Sequence, residues 1–184
     1  LFGAGPMAMD YAKVLKHLNA NFTVVGRSPE GTKKFQEQTG IEAIANGVSG
    51  WQEKGTANAE YGIIAVSFET LAATAIEVMD AGIRKILLEK PAGLTAPEIH
   101  SVCEHSKKTN TRIFVGYNRR FYASVMEAKK MITDDGGVQS FNFEFTEWCD
   151  HIADHLKHSA TGKNWFLANS SHIADLAFYL GGEP

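Results

Sequence analysis

Short apolar runs and stretches of three-to-four-residue periodicity alternate along the chain from its first residue to about residue 115. Leu1-Phe2 reads as the end of a strand, and an amphipathic stretch runs from Pro6 through Leu18. Phe22–Val25 is the next apolar run, followed by a polar-faced helix from Pro29 closed by Gly40. A short strand over Glu42–Ile44 and a helix around Val48–Lys54 come next. Tyr61–Val66 reads as a buried strand, Ser67 begins its loop, and a helix over Glu69–Ala81 ends at Gly82. Residues 83–88 give another strand, Ala96–Lys108 a helix and Arg112–Val115 a strand. Strands that alternate with helices in this way predict a doubly wound parallel sheet.

The pattern then changes. A helix over Tyr122–Ile132 ends at Asp134-Asp135-Gly136-Gly137, after which Phe141, Phe143 and Phe145 alternate with Asn142, Glu144 and Thr146. A period of two marks an antiparallel strand with one face in a core. The chain therefore divides into an α/β domain over residues 1–120 and the start of an α+β domain with a mainly antiparallel sheet over 121–184. A last helical segment spans Trp165–Asp175. Both ends read as cut from a longer chain, because a strand has about five residues and Leu1-Phe2 supplies two.

Two stretches carry candidate chemistry. Gly3-Ala4-Gly5-Pro6-Met7-Ala8 is a G-x-G-x-x-A pattern at a strand-to-helix junction. Gly3 allows the tight turn, Gly5 lets the backbone approach a pyrophosphate, and Ala8 lets helix and strand pack closely. The strand after it ends in Gly26-Arg27-Ser28, where an NAD site would place an acid for the ribose 2′-hydroxyl. Arg27 can instead pair with a 2′-phosphate and Ser28 can donate to it, so NADP is favoured, with NAD possible. The second stretch is Glu89-Lys90-Pro91, which follows a buried strand at its carboxyl end, where ligands bind in open α/β sheets.

Composition narrows the function classes. With 184 residues, 44% hydrophobic and 21% charged, the chain has the balance of an ordinary globular protein. A net charge of −3 gives no basic footprint for nucleic acid, and no apolar run approaches a membrane span. No signal peptide is expected before the first strand, and reduced thiols in a cytoplasmic setting are expected for Cys103 and Cys149. Cys149, His151, His155 and His158, with Asp150 and Asp154, make a tempting ligand cluster. They supply no closed ligand set, so no metal is expected.

In order along the chain, Gly3-Ala4-Gly5-Pro6-Met7-Ala8, the strand ending at Ser67, Glu89-Lys90-Pro91, Gly116-Tyr117-Asn118-Arg119-Arg120-Phe121 and the helix carrying His172 resemble the Gfo/Idh/MocA oxidoreductases. The resemblance implies a Rossmann domain and an NAD(P)-linked dehydrogenase or reductase acting on a sugar, a cyclitol or a related polyol. It implies that Lys90 is catalytic, that Glu89 lies beside the nicotinamide, and that the bond before Pro91 is cis. It also sets Asn118 and Arg119 against the nicotinamide and substrate.

His172 and Asp175, three apart on a helix, face the same side, and an imidazole with a nearby carboxylate suits a general base. The expected roles are proton removal by His172, with Asp175 orienting its ring, and stabilisation of the developing alkoxide by Lys90. Those of His172 and Lys90 are exchangeable at this stage. Trp165 and Asn169, on the same segment as His172, are assigned to the substrate together with Lys90 and Asn118. Many relatives carry an aspartate four residues before this histidine, and here Ala168 stands in its place. That departure favours the competing reading, a non-catalytic NADP-binding sensor or scaffold on the same fold. Retention of both Lys90 and His172 argues against it. A homo-oligomer through the second-domain sheet is expected.

Overall fold

The computed structural model describes residues 1–55, 59–147 and 164–182, which form two compact units, Leu1–Val115 and Gly116–Pro184. In the first unit the apolar runs become parallel strands: β1 Val24–Val25, β2 Ala43–Ile44, β3 Tyr61–Ile64, β4 Lys85–Leu88 and β5 Arg112–Val115. β1 pairs with β2 (Val24 opposite Ala43), β3 with β4 (Tyr61 opposite Lys85) and β4 with β5 (Lys85 opposite Arg112). Phe2 joins the two groups by a parallel bridge to Val25 on one side and to Ile64 on the other. Its N–H donates to Ile63 and its carbonyl accepts from Ala65, both at 2.7 Å.

The order is thus β2-β1-Phe2-β3-β4-β5. Counting the Phe2 segment as the first strand, this is the 3-2-1-4-5-6 arrangement of a dinucleotide fold. Strand order reverses beside Phe2, where the glycine turn begins. The doubly wound expectation therefore holds, with β1 to β4 shorter than the sequence pattern suggested and β5 as expected.

Five helices connect these strands: α1 Pro6–His17, α2 Pro29–Thr39, α3 Gly47–Glu53, α4 Leu71–Asp80 and α5 Ala96–Thr109. On one side of the sheet Phe2, Val25, Ile64, Ile86 and Leu88 pack with Leu71, Ala75, Val78 and Met79 of α4. On the other, Val24 and Ala65 pack with Ala8 and Ala12 of α1 and Phe35 of α2. Leu88 is fully buried, a placement worth about 1.5–3 kcal/mol. That burial fixes the position of the residues that follow it.

In the second unit, residues Asn118–Phe121 make a 3₁₀ turn, α6 spans Ala123–Asp134, a π-helical turn spans Phe166–Ser170, and α7 spans Ser171–Gly181. The turn at Asn118–Phe121 lies within this unit, where Arg120 is hydrogen-bonded to Asp175 of α7. Around Phe141, Phe143 and Phe145, where a strand is expected, residues 141–147 carry no regular structure, and among the described residues no strand lies beside them. Strand geometry needs a hydrogen-bonded neighbour. The alternation survives only as side-chain placement, with Phe141 and Phe143 stacked at 6.4 Å between ring centres.

α7 presents two faces. Ile173, Leu176, Ala177 and Leu180 line an apolar cleft of about 540 Å³ shared with α6 and residues 137–143. His172, Asp175 and Tyr179 form the other face. Among the described residues, no helix is long and apolar enough to cross a membrane.

Candidate functional site

The glycine turn comes first because its shape follows from its neighbours. Gly3 has φ of +132°, and a Cβ there would come within 2.1 Å of the Ala65 carbonyl oxygen, so only glycine fits between the Phe2 segment and the end of β3. At Gly5, by contrast, a Cβ would meet nothing within 4 Å. Gly5 is the N-cap of α1, which has no side-chain cap, and Pro6 opens the helix. Open space against uncapped amides suits an anion at this end of the helix, so the turn fits a dinucleotide pyrophosphate. Met7 is exposed, and Ala8 is fully buried against the sheet.

At the end of β1, Arg27 is exposed. Ser28 caps α2, its Oγ accepting from the Gly31 N–H at 3.1 Å. That bond uses the hydroxyl as an acceptor and leaves its proton available for donation. Ser67 ends the run after β3 and shares a 3.1 Å hydrogen bond with the Thr70 hydroxyl.

Glu89 and Lys90 follow β4 directly. The Glu89 N–H donates to the Ile64 carbonyl at 2.9 Å, which continues the sheet one residue past the strand. The Lys90–Pro91 bond is cis, as the resemblance implied. The Lys90 ammonium lies 5.2 Å from the centre of the Phe68 ring, in the turn after β3. Further on, Thr95 caps α5 by accepting from Glu98, whose carboxylate accepts from the Leu94 N–H at 2.7 Å. This reciprocal capping ties down the turn that carries Lys90.

Sequence reasoning missed the contact that holds Glu89. The Tyr11 hydroxyl, on α1, donates to Glu89 Oε1 at 2.6 Å. Burial, then the hydrogen bond and charge of Glu89, push the Tyr11 phenol well above its ordinary value. The available signal was spacing: Tyr11 lies three residues past Ala8, on the face of α1 that packs on the sheet.

In the second unit His172 is half-buried, and the Tyr117 ring meets it edge-on at 5.7 Å between centres. Burial pushes the Tyr117 phenol above its usual value. Asp175 accepts from Arg120 at both carboxylate oxygens, Nε to Oδ2 at 2.8 Å and Nη2 to Oδ1. Its side chain is 9% exposed, and the guanidinium also stacks 4.9 Å from the Tyr179 ring centre. Arg120 is therefore the partner that the spacing of His172 and Asp175 did not disclose. Asn118 opens the 3₁₀ turn and is exposed, and Arg119 beside it is half-buried.

Trp165 and Asn169, assigned to the substrate from sequence, both donate to Glu147: the indole Nε1 to Oε2, and the amide to Oε1 at 2.8 Å. The Ser170 hydroxyl donates to the same Oε1 at 2.9 Å. Burial pushes the Glu147 carboxyl up, but donation from Asn169, Trp165 and Ser170 prevails and holds it below its usual value. Ala168 is buried on the π-helical turn these bonds brace, so no carboxylate stands at that position. The cluster from Cys149 to His158 lies outside the described residues.

A family model for Gfo/Idh/MocA proteins, described as an oxidoreductase family with an NAD-binding Rossmann fold, matches residues 1–117. No curated protein matches the sequence significantly. Among solved structures, the WlbA dehydrogenase of Bordetella pertussis, in complex with NADH and UDP-GlcNAcA, is similar over 98% of this chain and 58% of its own, with 20% identity and a TM-score of 0.77. The myo-inositol 2-dehydrogenase of Lactobacillus plantarum is similar over 98% of this chain and 55% of its own, with 20% identity and a TM-score of 0.74. A levoglucosan dehydrogenase in complex with NADH and levoglucosan covers 99% and 53%, with 21% identity and a TM-score of 0.75. At such identities the likeness is one of fold, and this chain spans just over half the length of those proteins.

Proposed function

This chain belongs to the Gfo/Idh/MocA family of oxidoreductases, and from that premise we propose that it serves hydride transfer between NADP(H) and a hydroxyl or keto carbon of a sugar, cyclitol or related polyol. The observation that carries the reading is the shared sheet of the first unit. An uncapped glycine turn at the point of strand reversal and the Glu89-Lys90 pair after β4 occupy carboxyl ends of the same parallel sheet. The three solved relatives, which bear on a sugar nucleotide, an inositol and an anhydrosugar, support the substrate class.

The residues divide the work as follows. The amides at Met7 and Ala8, beyond Gly3, Gly5 and Pro6, receive the pyrophosphate. Arg27 and Ser28 take the 2′-phosphate, which favours NADP over NAD. Ser67, Glu89, Asn118 and Arg119 serve the nicotinamide half. When bound, the cofactor supplies or accepts the hydride. His172 takes the hydroxyl proton, and Lys90 stabilises the developing alkoxide. Asp175 orients His172 through the helix it anchors: its bonds to Arg120 hold α7 against the Asn118–Phe121 turn, which brings Tyr117 onto the imidazole. Trp165 and Asn169 border the substrate from a turn braced by Glu147.

Nicotinamide fluorescence of the protein mixed with NADP and a panel of polyols and sugars tests this reading. Reduction of the cofactor by at least one of them is expected. Binding with no redox change across the panel would instead support a sensor or scaffold on the same fold, the reading that Ala168 favours.

A further inference from the structure

The Tyr11–Glu89 contact joins two parts of the first unit that the reaction uses separately. α1 starts at the glycine turn, so its amino terminus faces the pyrophosphate site. In its second turn, the same helix sends a phenol to the carboxylate that follows β4, at 2.6 Å and half-buried. In a doubly wound sheet the two mononucleotide halves lie on either side of the strand reversal. Arg27 and Ser28, after β1, stand with one half. Glu89, after β4 and beyond the reversal at Phe2, stands with the other, which is the nicotinamide half.

We propose that Tyr11 is a positioning residue: its hydroxyl fixes the Glu89 carboxylate for the nicotinamide half of the bound dinucleotide. The inference rests on the nicotinamide-dinucleotide reading above and adds a residue to it. The short donor–acceptor distance and partial burial select one rotamer of a side chain that otherwise has three rotatable bonds. The bond also keeps the carboxylate supplied with a donor. Because burial and Glu89 itself push the phenol well above its ordinary value, it remains a donor throughout the neutral range. The backbone at Glu89 is already held by its hydrogen bond to Ile64, so what Tyr11 adds is the direction of the side chain.

The experiment compares two ligands, NADP and the 2′-phosphate of ADP-ribose, which lacks nicotinamide, on four proteins: wild type, Tyr11→Phe, Glu89→Ala and the double variant. Tyr11→Phe keeps the ring and removes only the hydroxyl. NADP is expected to bind Tyr11→Phe about tenfold more weakly, the scale of one hydrogen bond to a charged group. Binding of the phospho-ADP-ribose is expected to be unchanged. In the Glu89→Ala background, Tyr11→Phe is expected to have no further effect on NADP. Equal weakening of both ligands would overturn the inference by giving Tyr11 a structural role in α1. So would unchanged NADP binding, or full additivity of the two substitutions. A wild-type protein that binds neither NADP nor NAD would overturn the dinucleotide reading itself, and this inference with it. The two failures are therefore distinguishable.

Discussion

Arg27 is the residue on which cofactor choice turns. It is exposed at the end of β1, between Gly26 and Ser28, neither of them an acid. A charge-assisted contact to phosphate contributes about 1.5–3 kcal/mol, so Arg27→Ala is expected to weaken NADP binding by that amount and NAD binding far less. Titration with both cofactors checks it, and equal losses would show that Arg27 does not read the 2′-phosphate. Lys90 has a different test, because its charge is proposed to matter in the transition state. Lys90→Met keeps the stem beside Phe68 and Pro91 and removes the ammonium. Turnover is expected to fall about 10²-fold or more while NADP affinity changes little, since the pyrophosphate is held on another strand. Full turnover on a true substrate would reduce Lys90 to a solvated turn residue.

Elements carry the second kind of constraint. The π-helical turn Phe166–Ser170 runs directly into α7 and His172, and it is held from outside by one carboxylate. Glu147 accepts from Trp165, Asn169 and Ser170, and its carboxyl is held below the ordinary value of 4.5. A group with a depressed folded-state value stabilises the fold when ionised. That contribution is present above the unfolded value and is lost as pH falls through the folded one. Helicity of the segment around the π turn and α7 is therefore expected to decline in acid below about pH 4.5. Glu147→Gln is expected to remove that part of the acid dependence while losing stability at neutral pH. Hydrogen exchange on residues 164–182 across this pH range measures both. An acid profile identical in the two proteins would mean that Glu147 does not brace the turn.

For the whole molecule the informative quantity is linkage between cofactor and fold. A ligand that binds only the native state at a hundred times its dissociation constant stabilises that state by about 2.7 kcal/mol. For a unit of the size of Leu1–Val115 this corresponds to a rise in unfolding midpoint of roughly 10 °C. NADP is expected to produce such a shift in a thermal melt, and NAD a smaller one at equal concentration. Absence of a shift with either would contradict the glycine turn as a cofactor site. Two compact units also make a single two-state transition the less natural expectation, so the shift is best read from a probe in the first unit, such as Trp51, which packs edge-on against Phe2.

Much of the first unit was decided by sequence alone. Period and punctuation located all five strands and five helices to within a few residues. The glycine pattern marked the strand-to-helix turn, because backbone conformation and close approach at Gly3 are local demands that only one residue type meets. The same locality made Arg27, Ser28 and Lys90 legible as candidates at strand ends. Tertiary structure decided which side chains meet. The spacing of His172 and Asp175 gave them a common helix face but could not say that Arg120, 55 residues earlier than Asp175, would take both oxygens of that carboxylate. Trp165 and Asn169 likewise turned to Glu147, and Glu89 to Tyr11, 78 residues away. The period-two phenylalanines show the converse: alternation specifies a face, while a strand needs a neighbour to complete its hydrogen bonds. Conformational preference is written within a few residues of chain. Hydrogen-bond partnership is settled by whichever donors and acceptors packing brings within about 3 Å.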